Sequence, residues 1–166
     1  MKIAIDARMI SYSGIGTYIR SLLKEYGKLP CAGDFLVLGN PTELKQFKNL
    51  NVRNLNAPVY SIMEQLTIPL KIRAVSVFHA PHYNAPLLYR RHLVITVHDI
   101  IHVKFPEYLP TKKAYLYAGY MLRTVARKAM IIITDSVNTK TDLIEYFKLP
   151  PEKIRVIPLG VDDRFQ

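Results

Sequence analysis

Apolar residues recur along this chain with two different periods, and the two alternate. Continuous apolar runs at 2–5, 35–38, 75–79, 93–97, 130–134 and 154–157 have the length of buried strands, and a weaker run at 52–55 predicts one more. The run at 93–97, Leu-Val-Ile-Thr-Val, is β-branched at four of its five positions. Between the runs lie stretches with helical spacing. In 14–26, Ile15, Ile19, Leu22 and Leu23 recur, Tyr26 continues the face, and Gly27 and Pro30 supply stop signals. In 112–128, the longest predicted helix, Ala118, Met121, Leu122 and Val125 form one stripe with Ala129 beyond. Shorter helices are predicted at 42–48 and 139–147, the latter with Thr139 and Asp142 spaced like a capping box. Segment 61–73 has helical tendency, but Pro69 should interrupt or kink it. Residues 79–86 and the stretch after Val97 read as loops.

Strands that are apolar throughout and separated by helices predict an α/β fold, a Rossmann-like parallel sheet with helices on both faces. The length of 166 residues fits one such domain, 1–166, and no internal repeat divides it. In such sheets ligands bind beyond the carboxyl ends of the strands. That rule gives weight to Asp6, the loop at Gly14, residues 79–84, the pair His98-Asp99 and the pair Asp135-Ser136.

Composition narrows the picture modestly. With 49% hydrophobic and 22% charged residues the chain is an ordinary globular sequence. The single cysteine, Cys31, excludes an intrachain disulfide and makes a reducing compartment the default. The apolar start is cut short by Asp6, so it makes no signal peptide, and no run approaches the ~18 apolar residues of a membrane span. A cytoplasmic protein is expected, at most peripheral at the inner face of the membrane. Net charge is +10, which favours anionic lipid, phosphorylated substrates or nucleic acid as partners. No nucleic-acid-reading motif accompanies the charge, and no nucleic-acid partner is expected.

Several motifs sit where the topology would put a site. Gly14-Ile15-Gly16 opens the first helix after the first strand, where small residues let backbone N–H groups approach phosphate. The same glycines could serve chain geometry alone. A dinucleotide fingerprint would need a third glycine where Ile19 stands, and no acid closes the second strand, which disfavours a nicotinamide or flavin enzyme. His79, His82, His98 and His102 all follow strands. The His98–His102 spacing falls in a predicted loop without a following glutamate, unlike the zinc-protease helix, so no metal is expected. Thr139 reads as a helix cap, and Ser136 is open between capping and binding. Arg123 and Arg127, one turn apart, read as a solvated face.

In combination the motifs are more specific. The opening residues 2–8 with 13–18, the segment Phe78-His79-Ala80-Pro81-His82-Tyr83-Asn84, the segment Thr96-Val97-His98-Asp99 with Phe105-Pro106-Glu107-Tyr108, and the closing stretch 134–162 resemble retaining glycosyltransferases of the GT-B fold. The nearest flavour is glycosyltransferase family 4 (group 1), in its mannosyltransferase-like branch.

The resemblance implies two Rossmann-like domains facing each other across a cleft. This chain corresponds to the N-terminal, acceptor-side domain. A C-terminal domain holding most nucleotide-sugar contacts and a glutamate pair is expected to lie outside it. The substrates implied are a GDP- or UDP-sugar donor and a glycan or lipid-linked acceptor, with no cofactor. Gly14 and Gly16 would lie by the donor diphosphate, with Asp99 and Ser136 also on the donor side, and catalytic His98 would touch the transferred sugar. Asp99 could orient His98 or merely end the strand. Asp6, Arg8, Tyr18, His79, His82, Tyr83 and Asn84 would face the acceptor. As an isolated fragment the domain is expected to be inactive. The alternative is a non-catalytic Rossmann-like module that binds a glycan or nucleotide without turnover.

Overall fold

A computed structural model describes residues 1–89, 91–109 and 111–161. Among them the strands are β1 (Ile3–Asp6), β2 (Phe35–Gly39), β3 (Asn51–Asn54), β4 (Val77–Ala80), β5 (His92–Val97), β6 (Ile131–Thr134) and β7 (Ile154–Val156). The helices are α1 (Gly14–Tyr26), α2 (Pro41–Leu44), α3 (Ile62–Lys71), α4 (Ile101–Lys104), α5 (Lys112–Lys128) and α6 (Val137–Phe147). The strands form one parallel sheet in the order β3-β2-β1-β4-β5-β6-β7. This is the Rossmann-like α/β architecture expected for the N-terminal half of a GT-B enzyme.

Period-two alternation explains how the sheet is covered on both faces. Ala4 and Leu38 join one core with Ile68 of α3, Ile72 just beyond its end, and Met121 and Leu122 of α5. Their sequence neighbours Ile5 and Val37 join the opposite core with Ile19 and Leu23 of α1 and Leu44 of α2. Winding begins at β1, proceeds outward to β3, then crosses to β4 on the other side of β1. Such a reversal opens a crevice between the carboxyl ends of β1 and β4, where side-chain chemistry collects.

The outermost strand, β3, is exposed at every residue and pairs only with β2. Its side chains tie it down instead: Asn51 donates to Gly33 O, and Arg53 to Lys71 O. Among the described residues no helix is long and apolar enough to cross a membrane.

Three sequence expectations are corrected. Helix α3 runs through Pro69, which stands two residues before its end, and the bond from Ile72 N to Ile68 O continues the ladder past it. Pro69 cannot donate to Gln65 O, so the helix forgoes that one bond and still continues. The stretch after β5 is not all loop, because α4 carries His102. Helix α6 starts two residues before the predicted start at Thr139. Ser136 is its cap, accepting from Thr139 N at 3.1 Å, and Thr139 is buried within the first turn.

Candidate active site

A shallow, open cleft lies over the reversal point, lined by Asp6, Arg8, Ile15, Val59, His82 and Asn84 among others. Its floor is a buried charge cluster. Arg8 lies 2.6 Å from Asp6 and 2.8 Å from Glu64, and the Glu64 side chain is fully buried. Arg8 and Glu64 thus form a buried ion pair. Arg8 Nη1 also donates to Ala57 O at 2.9 Å, fastening the connection between β3 and α3 over the end of β1. Burial opposes the charge of Arg8, but its bonds to Asp6 and the charges of Asp6 and Glu64 outweigh that and raise its pKa. Asn84 completes the cluster by donating to Glu64 at 2.7 Å and accepting from the Tyr117 hydroxyl at 3.3 Å.

A second group stands at the carboxyl ends of β5 and β6. His98 Nδ1 lies 2.5 Å from Asp135 Oδ2, and His98 Nε2 lies 3.2 Å from Pro81 O. A carbonyl only accepts, and so does a carboxylate, so this arrangement is complete when both ring nitrogens donate. Tyr18, in the second turn of α1, packs edge-on against His98 at 4.9 Å between ring centres. Its hydroxyl shares Thr96 Oγ1 with His79 Nε2, at 3.2 and 2.9 Å. Burial, then the nearby His98, lowers the pKa of His79 to about 4. The same two causes bring His82 to about 4. His82 Nδ1 accepts from Asn84 N at 3.3 Å, which leaves its Nε2 as the protonated nitrogen of the neutral ring.

The two glycines at the start of α1 differ in what they do. A Cβ on Gly16 would stand 2.4 Å from Ile10 O, so the close approach of α1 to the preceding loop requires glycine there. A Cβ on Gly14 would meet nothing within 4 Å. No side chain caps α1 at Ser13. The packing of Tyr18 on His98 brings this helix start near the histidine.

The candidate residues therefore divide by position. His98, His82 and Tyr83 stand at the carboxyl edge. Asp6, Arg8, Asn84, Tyr18 and His79 shape the site from beneath, their polar groups already engaged. Ser136 is engaged as the cap of α6. Asp99 does not hold His98, since it accepts instead from Ile101 N at 2.9 Å. The partner is Asp135, which the strand-end rule had marked without assigning it to a histidine. Glu64 was missed. Its only sequence signal is its place three residues after Ser61, whose hydroxyl accepts from Glu64 N. Among the described residues no three His, Cys, Asp or Glu side chains gather as a metal-holding group.

A parallel α/β sheet with a histidine–aspartate pair at its carboxyl edge and an uncapped helix start beside it fits a group-transfer domain. Residues 12–165 match Glycosyltransferase Family 4, and the chain belongs to that family. It is thus a glycosyltransferase domain, although Asp6 and Arg8 lie just before the matched stretch. Among solved structures the chain is similar to HepE from Anabaena, a crystal structure in complex with UDP-glucose. The TM-score is 0.67 at 21% identity, over 98% of this chain and 44% of that one. At that identity the likeness is one of fold, and the chain spans less than half the length of its structural relative. No curated protein matches it.

Proposed function

We propose that this chain is the acceptor-side domain of a retaining hexosyltransferase, mannosyltransferase-like, moving a sugar from a GDP- or UDP-sugar to a glycan or lipid-linked acceptor. The observation that carries the reading is His98, fixed between Asp135 and Pro81 O beside the start of α1. When the bond from the anomeric carbon to the diphosphate breaks, negative charge builds on the phosphate oxygens. First-turn N–H groups around Gly14 and Gly16 would stabilise that charge without a metal. His98 Nε2 would exchange its contact with Pro81 O for a hydroxyl of the transferred sugar, donating to it and orienting it. A second domain would supply the remaining donor contacts, so the chain by itself would not turn over. UDP-glucose in the HepE crystal supports a nucleotide-sugar as donor.

The reading places the enzyme in the cytoplasm, with its excess of basic residues in peripheral contact with an anionic inner membrane face. The deciding test is donor-dependent sugar transfer by the full-length enzyme, measured for wild type and His98→Ala. A wild-type protein that binds donor and acceptor without transfer would favour the non-catalytic module instead.

A further inference from the structure

Four tyrosines from four separate segments converge at the cleft mouth. Tyr12 follows β1, Tyr60 lies between β3 and α3, Tyr83 follows β4, and Tyr117 is on α5. Tyr60 ties them together. Its ring is 6.3 Å from that of Tyr117 and 6.0 Å from that of His82, edge-on in both cases, and His82 packs on Tyr83 at 4.0 Å. Burial raises the pKa of Tyr60, and ionisation of Tyr83, Tyr12 or Tyr117 would raise it further, which puts those three hydroxyls near it.

Three of the four are not core packing, while Tyr83 is partly buried against the core. Tyr12 and Tyr60 are 48% and 44% exposed, and Tyr117 is 39% exposed. Tyr60 moreover has φ of 63°, a left-handed backbone that costs a non-glycine residue about 1–2 kcal/mol. The surroundings enforce it: Arg8 holds Ala57 O, and Ser61 Oγ donates to Pro58 O at 2.6 Å. An exposed aromatic ring kept in a strained backbone, where burial returns little, marks a position held for a ligand.

Charge at the mouth selects the ligand. Among the described lining residues, the cation Arg8 is matched by Asp6 and Glu64. Asp99 adds a negative field at Tyr83 and at His82, where the larger positive field of His98 opposes it, and Glu64 is felt by Tyr60 and Tyr117. A phosphate would meet carboxylates, whereas sugar hydroxyls can donate to them. Tyrosine offers an apolar ring for the C–H face of a pyranose and a phenol for its hydroxyls. Resting on the transferase reading above, we propose that Tyr12, Tyr60, Tyr83 and Tyr117 form a collar that receives an uncharged pyranose of the acceptor and discriminates against phosphorylated ones.

The 166-residue chain can be titrated with neutral gluco- and manno-disaccharides and with their 6-phosphates, following tyrosine ring resonances by NMR. Neutral sugars should shift the collar tyrosines and bind more tightly than the phosphates. Tyr60→Ala and Tyr117→Ala should each weaken binding about tenfold, Tyr60→Phe much less, and the remote Tyr146→Ala not at all. Melting curves identify any variant that fails to fold, and Tyr60→Phe keeps the comparison decisive if Tyr60→Ala does. Phosphates binding as tightly as neutral sugars, or folded alanine variants binding like wild type, would overturn the proposal. A parallel titration with UDP- and GDP-sugars separates the two readings. Shifts at α1 without any at the collar in the sugar titration overturn the collar alone. Collar binding without any nucleotide-sugar response supports the collar and counts against the transferase reading.

Discussion

His98 and Asp135 are the residues that immediately follow a registered pair, Val97 of β5 and Thr134 of β6, and their side chains meet at 2.5 Å. Sheet register thus fixes the histidine. In the full-length enzyme, His98→Ala should leave folding nearly intact and raise the barrier by ~2–4 kcal/mol, the size seen when one catalytic donor is removed. Asp135→Asn keeps an acceptor but removes the charge, so turnover should fall by less. His102→Ala, on α4, should do much less than His98→Ala. Steady-state kinetics beside thermal melts check this, and unchanged turnover in folded His98→Ala protein would remove the catalytic assignment.

The buried cluster beneath the cleft should dominate stability. Removing one side of a buried ion pair leaves the other uncompensated, at a cost of about 3–5 kcal/mol. Arg8→Ala and Glu64→Ala should each lower the urea midpoint accordingly. The double variant should lose less than the sum, because the two share one interaction. Additive losses would show that the pair is not coupled.

Gly16→Ala should destabilise by about 1–3 kcal/mol, because its Cβ would strike the backbone oxygen of Ile10 rather than a movable side chain. Gly14→Ala should be neutral or slightly stabilising for folding, since the space is open and alanine favours helix. If the first turn of α1 cradles phosphate, Gly14→Ala should still raise the KM for donor. Equilibrium unfolding and donor kinetics together separate these effects.

Acid should weaken the fold through His79, with His82, also brought to about 4, adding to the same window. The pKa of His79 is lowered to about 4 by burial, against 6.5 for the ordinary side chain, so the unfolded chain takes up the proton first. The stabilisation is present in full above pH 6.5 and is lost as pH falls toward 4, amounting to a few kcal/mol. His79→Gln should flatten the acid limb of a stability–pH curve over that window. A limb of unchanged slope would assign the effect elsewhere.

Net charge of +10 predicts binding to anionic vesicles that fades as salt shortens the screening length. Sedimentation at low and high salt, with neutral vesicles as control, measures it. Equal binding to both vesicle types would remove the membrane contact from the functional reading.

Legibility in the sequence followed the strength of local signals. Helices α1 and α5 were predicted at their observed bounds, because long apolar stripes define them, and the Thr111 hydroxyl caps α5 by accepting from Ala114 N. Strand β3 was only weakly legible, since its four exposed residues are strand through pairing to β2 rather than through any apolar pattern. The site was legible as a set of strand ends but not as a set of contacts. Asp99, next to His98, stood open between orienting it and ending the strand, yet neighbours along an extended chain point to opposite sides. Asp135, 37 positions away, reaches His98 through sheet register. Glu64 was illegible for another reason: a glutamate in the first turn of a helix ordinarily faces water, and only the arrival of Arg8 from β1 draws it inward.

Strand β3, with its polar side chains tied back to Gly33 and Lys71, also bears on how copies of this domain behave when crowded. An open sheet invites another chain to add a strand along its rim, the usual route to intermolecular aggregates. Here one rim is a four-residue strand containing Asn51, Arg53 and Asn54, and the other, β7, is three residues long. Neither is a long, flat, apolar template, so the domain has a built-in resistance to stacking rim to rim as it folds.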